Sequence, residues 1–198
     1  MGRRRPKRSE RRTVLLVTNG RKTEAAYLDH LKQMVRRSIA VTTRFINGSP
    51  ETIVKELGSQ RSDISEFNEV WIVVDHDGND RRPFLDQCRR LDKRRKRTAV
   101  HGVVSVPCFE VWLNAHYEPI RRYRNQDEAS RHYRELTGLP EKRCKEIPID
   151  FPWEAMTEAA SRCHLPTASL PECDTQGECP STTMPHLLRS IGLLDGPL

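Results

Sequence analysis

The chain has 198 residues, 36% apolar and 31% charged, with a formal net charge of +7. That is enough length for one well-cored domain with an appendage. No run approaches the ~18 apolar residues needed to span a bilayer, which excludes a membrane-spanning helix.

The charge is unevenly placed. Residues 1–12 carry seven Arg or Lys against Glu10, and residues 89–97 carry seven against Asp92. Each run is therefore a local +6, so the rest of the chain is net −5. Basic runs of this density attract polyanions through counterion release, and nucleic acid is the usual one. Read otherwise, they are a solvated tail and a solvated helix face. The arginine-rich start is not followed by the apolar stretch of a secretory signal, because Val14-Leu15-Leu16-Val17 ends after four residues,. A cytoplasmic protein without membrane partners is expected.

In chain order, a basic, disordered tail over 1–12 precedes a first strand, Thr13 to Thr18. The turn Asn19-Gly20-Arg21-Lys22 follows, and Thr23 is placed to cap a helix bearing Tyr27, Leu28, Leu31, Met34 and Val35 at the 3.6-residue period,. Ile39 to Ile46 reads as a second strand. Asn47-Gly48 then turns, Ser49 caps, and Pro50 opens a helix carrying Ile53, Val54 and Leu57,.

The unbroken apolar run Val70-Trp71-Ile72-Val73-Val74 predicts a strand buried on both faces,. Asp75, His76, Asp77 and Gly78 follow it directly. Pro83 starts a third helix with Phe84, Leu85, Cys88 and Leu91 inward and the second basic run outward. Ala99 to Val106 is a fourth strand, and Pro107 opens a helix over Cys108 to Leu113.

Strands alternating with helices predict an α/β fold with a parallel four-stranded sheet over residues 13–120. Beyond residue 120 the pattern turns helical, near 126–137, 153–164 and 182–194, with a Pro- and Cys-rich loop over 165–181. Residues 121–198 are thus expected as a helical C-terminal extension packed on the core.

In a parallel sheet the C-terminal strand ends share one edge, where ligands bind. That edge would collect Asn19, Lys22 and Glu24, then Asp75 and Asp77, then Glu110. Alternate residues of an extended segment point the same way, so Asp75 and Asp77 can share one divalent ion. Converging carboxylates repel unless a cation sits among them, and hard oxygen donors favour Mg²⁺ or Mn²⁺. Such ions serve phosphodiester cleavage. Each residue also has an ordinary explanation: Asp, Gly and Asn form polar turns, and acids are favourable in the first turn of a helix. Lys22 beside a helix N-terminus could hold a phosphate. His76 is given no role.

The six cysteines form no C-x-x-C pair, so reduced thiols, several of them buried, are expected,. A zinc site from Cys163, His164, Cys173 and Cys179 is conceivable, although its spacing fits no common pattern.

Four blocks carry a family resemblance: Val17 to Glu24, Glu69 to Asp77, Pro107 to Leu113 and Pro180 to Met184. Their order and spacing resemble the RloB-like family, which is similar to Toprim nucleases of the overcoming-lysogenisation-defect (OLD) type and is associated with bacterial anti-phage defence. The resemblance implies a Toprim-like core and a Mg²⁺-dependent (or Mn²⁺-dependent) nuclease acting on DNA or RNA. It implies Glu24, Asp75 and Asp77 as catalytic acids, with Asn19, Asp75 and Asp77 at the metal. Glu110 joins the catalytic acids through its place on the shared sheet edge. Arg21, Lys22, Arg94, Arg95, Lys96 and Arg97 are the expected nucleic-acid contacts. An ATPase partner of the RloA/OLD type is implied as well, and a homo-oligomer is left open.

One position departs from the pattern. The family's Glu-Gly-x-x-Thr-Glu falls on Asn19-Gly20-Arg21-Lys22-Thr23-Glu24, so asparagine stands where an acid is expected. An amide can coordinate a metal through oxygen but cannot accept a proton at neutral pH. Either Glu24 covers the role, or the chain is a catalytically impaired nucleic-acid-binding or regulatory subunit. The apolar strand followed by Asp-x-Asp-Gly also resembles haloacid-dehalogenase-like phosphatases. There, however, the loop follows the first strand and a Thr stands at the position of Asn79.

Overall fold

The computed structural model describes residues 11–143 and 145–195. Residues 1–10 of the expected basic tail lie outside that range. Arg12 already belongs to the first strand, β1 (Arg12–Thr18), one residue before its expected start. Its guanidinium donates to the Ser190 carbonyl at 2.7 Å and also to the Glu69 carboxylate, so this arginine ties the sheet to the chain's last helix.

The four expected strands all form: β1, then β2 (Ile39–Phe45), β3 (Glu69–Asp75) and β4 (Ala99–Val106). They are mutually parallel. The expected four-stranded sheet is nonetheless incomplete. Ser181–Thr182 adds a fifth strand, β5, antiparallel to the end of β4, in the order β2-β1-β3-β4-β5. A two-residue strand leaves no periodicity to read, and its partner residues Ser105 and Val106 lie more than 70 positions upstream,.

Helices α1 (Thr23–Met34), α2 (Pro50–Leu57) and α3 (Arg82–Arg94) connect the parallel strands. Ser49 caps α2, accepting the Thr52 amide, and Pro50 occupies its first turn as expected,. Thr23 does not cap α1. It is the helix's first residue, and its hydroxyl donates to the Lys145 carbonyl at 2.9 Å.

Alternation along the buried strands sorts side chains to two cores. Leu15, Val17, Val70, Ile72 and Val74 face α2 and α3. Val14, Leu16, Trp71 and Val73 face α1 and four later helices. These are α4 (Glu110–Tyr117), α5 (Gln126–Thr137), α6 (Met156–Arg162) and α7 (Met184–Ser190). The C-terminal helices thus share one core with the sheet, since Leu187, Leu188 and Ile191 pack in the same cluster as Tyr27 and Trp112. Among the described residues, no helix is long and apolar enough to cross a membrane.

β1 pairs with β2 on one side and β3 on the other, so chain progression reverses direction across the sheet at β1. The crevice at such a switch point, beyond the carboxyl ends of the strands, is where open α/β sheets bind ligands. The loops after β1 and β3 border it.

Candidate functional site

Strand parity sets the first residue. Trp71 and Val73 face the core shared with α1 and α4, and Asp75, two further along, ends β3 on that face,. Glu24 lies in the first turn of α1 and Glu110 opens α4. The aromatic packing of these two helices brings both acids to the end of β3. Tyr27, one turn beyond Glu24, meets Phe109 edge-on with ring centroids 5.5 Å apart, and Trp112 at 6.4 Å.

Asp77 does not continue the extended strand, so the alternation expected to aim it alongside Asp75 does not hold: β3 ends at Asp75 and Asp77 lies in a turn. His76, Asp77, Gly78 and Asn79 form a tight turn in which the Asn79 amide donates to the His76 carbonyl at 2.9 Å. Asp77 and Gly78 both have positive φ, 50° and 73°, as a type I′ turn requires. The Asp77 amide donates to the Pro107 carbonyl at 3.0 Å, which couples this turn to the end of β4.

Gly20 is required by contact. A Cβ built there would lie 2.0–2.3 Å from the Glu24 carboxylate atoms. The missing side chain is the space into which Glu24 folds back.

Asn19, Arg21, Lys22, Glu24, Asp75, Asp77 and Glu110 all line one cleft of about 610 Å³. Sequence reading missed Lys145, Asp127, Gln126, Ser130 and Cys108, which line it too. Lys145 arrives through the Thr23 bond to its carbonyl, and nothing in its local sequence signals that placement. Five carboxylates and three cationic side chains border the cleft.

The electrostatics follow from crowding and burial. Asp75 is pushed well above the usual carboxylate range by burial, then by the negative charges of Glu24, Glu110 and Asp77. Its Oδ1 is buried with no hydrogen-bond partner. Glu24 is also raised, chiefly by burial, with Glu110 and Asp77 adding and Lys145 opposing. The Cys108 thiol is driven well above its ordinary value by burial and then by Glu110 and Asp75, so it is protonated and no nucleophile,.

A buried carboxylate oxygen without a donor, among like charges, fits a divalent cation. Among the described residues, no three of these carboxylates bring oxygens within 4.8 Å of one another. The carboxylates therefore form no ready-made cage, and an ion here would be held by one or two of them and keep several waters. Asn19 is partly committed elsewhere, because its amide nitrogen donates to the Gly48 carbonyl at 3.2 Å. Only its carbonyl oxygen is available to a metal.

The structure does not bring the two basic groups together. Arg21 and Lys22 stand at the cleft. Arg94 to Arg97 lie at the far end of α3, whose 13 residues run about 20 Å away from the acid edge. There Arg94 borders a groove with Val54, Lys55, Gly58, Gln87, Arg90 and Lys93. Lys93 and Arg94 in the last turn of α3 also complement the helix dipole,.

The four residues of the conceivable zinc site do not come together; among the described residues Cys173 is grouped instead with His101 and Asp174. The Cys163 thiol contacts the Ala160 and Thr182 carbonyls, Cys179 contacts the Tyr123 carbonyl, and the His164 ring contacts the Leu165 carbonyl.

Searches of curated proteins and of solved structures return no significant match. A family model described as RloB-like protein matches residues 14–191, a span that includes every acid of the cleft. The chain belongs to the RloB-like protein family.

Proposed function

We propose that the cleft is a Mg²⁺-dependent (or Mn²⁺-dependent) active site hydrolysing phosphodiester bonds in nucleic acid. The observation carrying this reading is Asp75, a buried carboxylate with one orphaned oxygen, flanked by Glu24, Asp77 and Glu110. Asp75 and Asp77 would hold the ion, with the Asn19 carbonyl as a further oxygen donor. A bound ion supplies water activation and stabilisation of the charge developing on the phosphate.

The remaining roles fall to this chain's own side chains. Glu24 is the proton acceptor: a carboxylate raised by burial is a stronger base than a solvated one,. It can thereby replace the acid missing at position 19. Arg21, Lys22 and Lys145 place positive charge at the rim of an otherwise acidic cleft, where a phosphate must approach. The groove bearing Arg94, continued by Arg95 to Arg97, serves as a remote electrostatic contact that adds affinity without touching the chemistry. A setting in anti-phage defence beside an ATPase of the RloA/OLD type rests on the family resemblance alone.

A second reading is favoured by Asn19. Its bond to Gly48 ties the β1–α1 loop to the β2–α2 loop, a structural duty that a carboxylate could not perform. The chain would then be a nucleic-acid-binding subunit without turnover. Cleavage of DNA and RNA substrates in Mg²⁺ by the wild type and by Asn19→Glu separates the two. Turnover by the wild type supports the enzyme. Binding without turnover in the wild type, with cleavage gained in Asn19→Glu, supports the subunit.

A further inference from the structure

On the flank of the sheet, away from the acidic cleft, three donor atoms converge from two distant segments. His101 stands on β4, in register with Trp71 on β3, and the two rings stack at 4.3 Å. β5 covers only the end of β4, at Ser105 and Val106. At Gly102 the strand edge is closed instead by Asp174, whose Oδ1 accepts the Gly102 amide at 2.7 Å. The other oxygen, Oδ2, lies 2.9 Å from His101 Nδ1. The Cys173 sulfur lies 4.0 Å from the same nitrogen and 3.7 Å from Asp174 Oδ2.

This triangle is not a nucleophilic relay. In a Cys-His-Asp relay the thiol and the carboxylate sit on opposite ring nitrogens, whereas here both address Nδ1. It is close to one face of a coordination tetrahedron. Metal bonds of ~2.0–2.3 Å at tetrahedral angles put donor atoms about 3.3–3.6 Å apart. The observed 2.9, 3.7 and 4.0 Å fall just outside that range on either side. The shortest is a His101–Asp174 hydrogen bond that a bound ion would replace, displacing the Nδ1 proton.

We propose that His101 Nδ1, Cys173 Sγ and Asp174 Oδ2 form a binding site for a thiophilic divalent ion of the Zn²⁺ class. A mixed sulfur, nitrogen and oxygen set selects such an ion over Mg²⁺, which prefers oxygen alone. His101, Cys173 and Asp174 line a cavity of about 420 Å³ together with Glu69, Trp71, Glu172 and His186, from which a further ligand would reach the ion. The ion clamps the 165–181 segment onto the edge of β4. That segment delivers Gln176, whose side chain accepts the Arg81 amide at 2.7 Å, and Arg81 in turn donates to the Asp75 carbonyl at 2.7 Å. The clamp is thereby linked through side chains to the end of β3.

The test is Co²⁺ titration of the purified, reduced full chain, followed by absorbance. One equivalent is expected to give a thiolate-to-cobalt charge-transfer band that Zn²⁺ bleaches. Cys108 also borders the acidic cleft, so Cys108→Ser, which should retain the band, distinguishes the two sites. Cys173→Ser and Asp174→Asn, both near-isosteric, should abolish the band. Cys163→Ser and Cys179→Ser should retain it. Zn²⁺ at one equivalent should raise the melting temperature of the wild type more than that of Cys173→Ser. Absence of the band in the wild type, or its persistence in Cys173→Ser, overturns the proposal.

Discussion

The ring of Tyr27 meets that of Phe109 edge-on at 5.5 Å, joining the two helix starts that carry Glu24 and Glu110. Each acid is within one helical turn of one of the two rings. Both rings are fully buried, so the acids are positioned by a rigid core rather than by loops. Phe109→Ala should destabilise the protein by about 3–5 kcal/mol, the usual cost of emptying an aromatic site. Urea unfolding with an unchanged slope checks it, and a loss under about 1 kcal/mol would show that the contact does not set the helix pair.

Gly20→Ala isolates the placement of Glu24. The new methyl would lie about where the carboxylate now rests, and a flexible side chain can swing away at little cost. Stability should barely change, while cleavage falls by about 10²-fold or more, the typical contribution of a positioned base. Wild-type cleavage in this variant would remove Glu24 from the chemistry.

Asp75 makes a stability prediction with a definite sign. Burial and three neighbouring acids raise its folded pKa above the unfolded value. The folded state then holds the proton more tightly, so ionising Asp75 destabilises the fold at every pH above the ordinary carboxylate range. At neutral pH and without divalent ions, Asp75→Asn should therefore raise stability, by on the order of 1 kcal/mol. Mg²⁺ should stabilise the wild type more than the variant. Thermal melts with and without Mg²⁺ measure both, and a destabilised Asp75→Asn would contradict the sign.

His116 predicts the opposite slope in acid. It is buried and neutral, with Nδ1 donating to the Trp112 carbonyl at 3.0 Å and Nε2 3.3 Å from the Tyr27 hydroxyl. Burial, with the Arg162 charge adding, lowers its pKa from 6.5 to about 4. Stability it confers is complete above about 6.5 and is lost as pH falls toward 4, on the order of 3 kcal/mol. Urea unfolding from pH 7 to 4 should show a flatter acid limb in His116→Gln than in the wild type. Parallel limbs would mean that His116 charges freely in the fold.

The acid edge was legible because strand parity and helix starts are local. Asp75 follows an apolar strand, Glu24 and Glu110 sit in first turns, and a parallel sheet must gather all three. Elements of long sequence separation were not legible: β5, the arrival of Lys145, and the pairing of Cys173 with His101 across 72 positions. The basic run at 89–97 shows another limit. Its composition marks an electropositive surface, but only the direction of α3 reveals that this surface lies at the opposite end from the acidic cleft.

The most direct measurement compares single-turnover cleavage by wild type and Asp75→Asn, at saturating nucleic acid with Mg²⁺ and with EDTA. The substitution removes one charge and almost no volume. Cleavage by the wild type in Mg²⁺, none in EDTA, and a loss of at least about 10²-fold in Asp75→Asn is the predicted result. Equal rates in the two proteins, or cleavage that survives EDTA, would contradict a metal-dependent site built on Asp75.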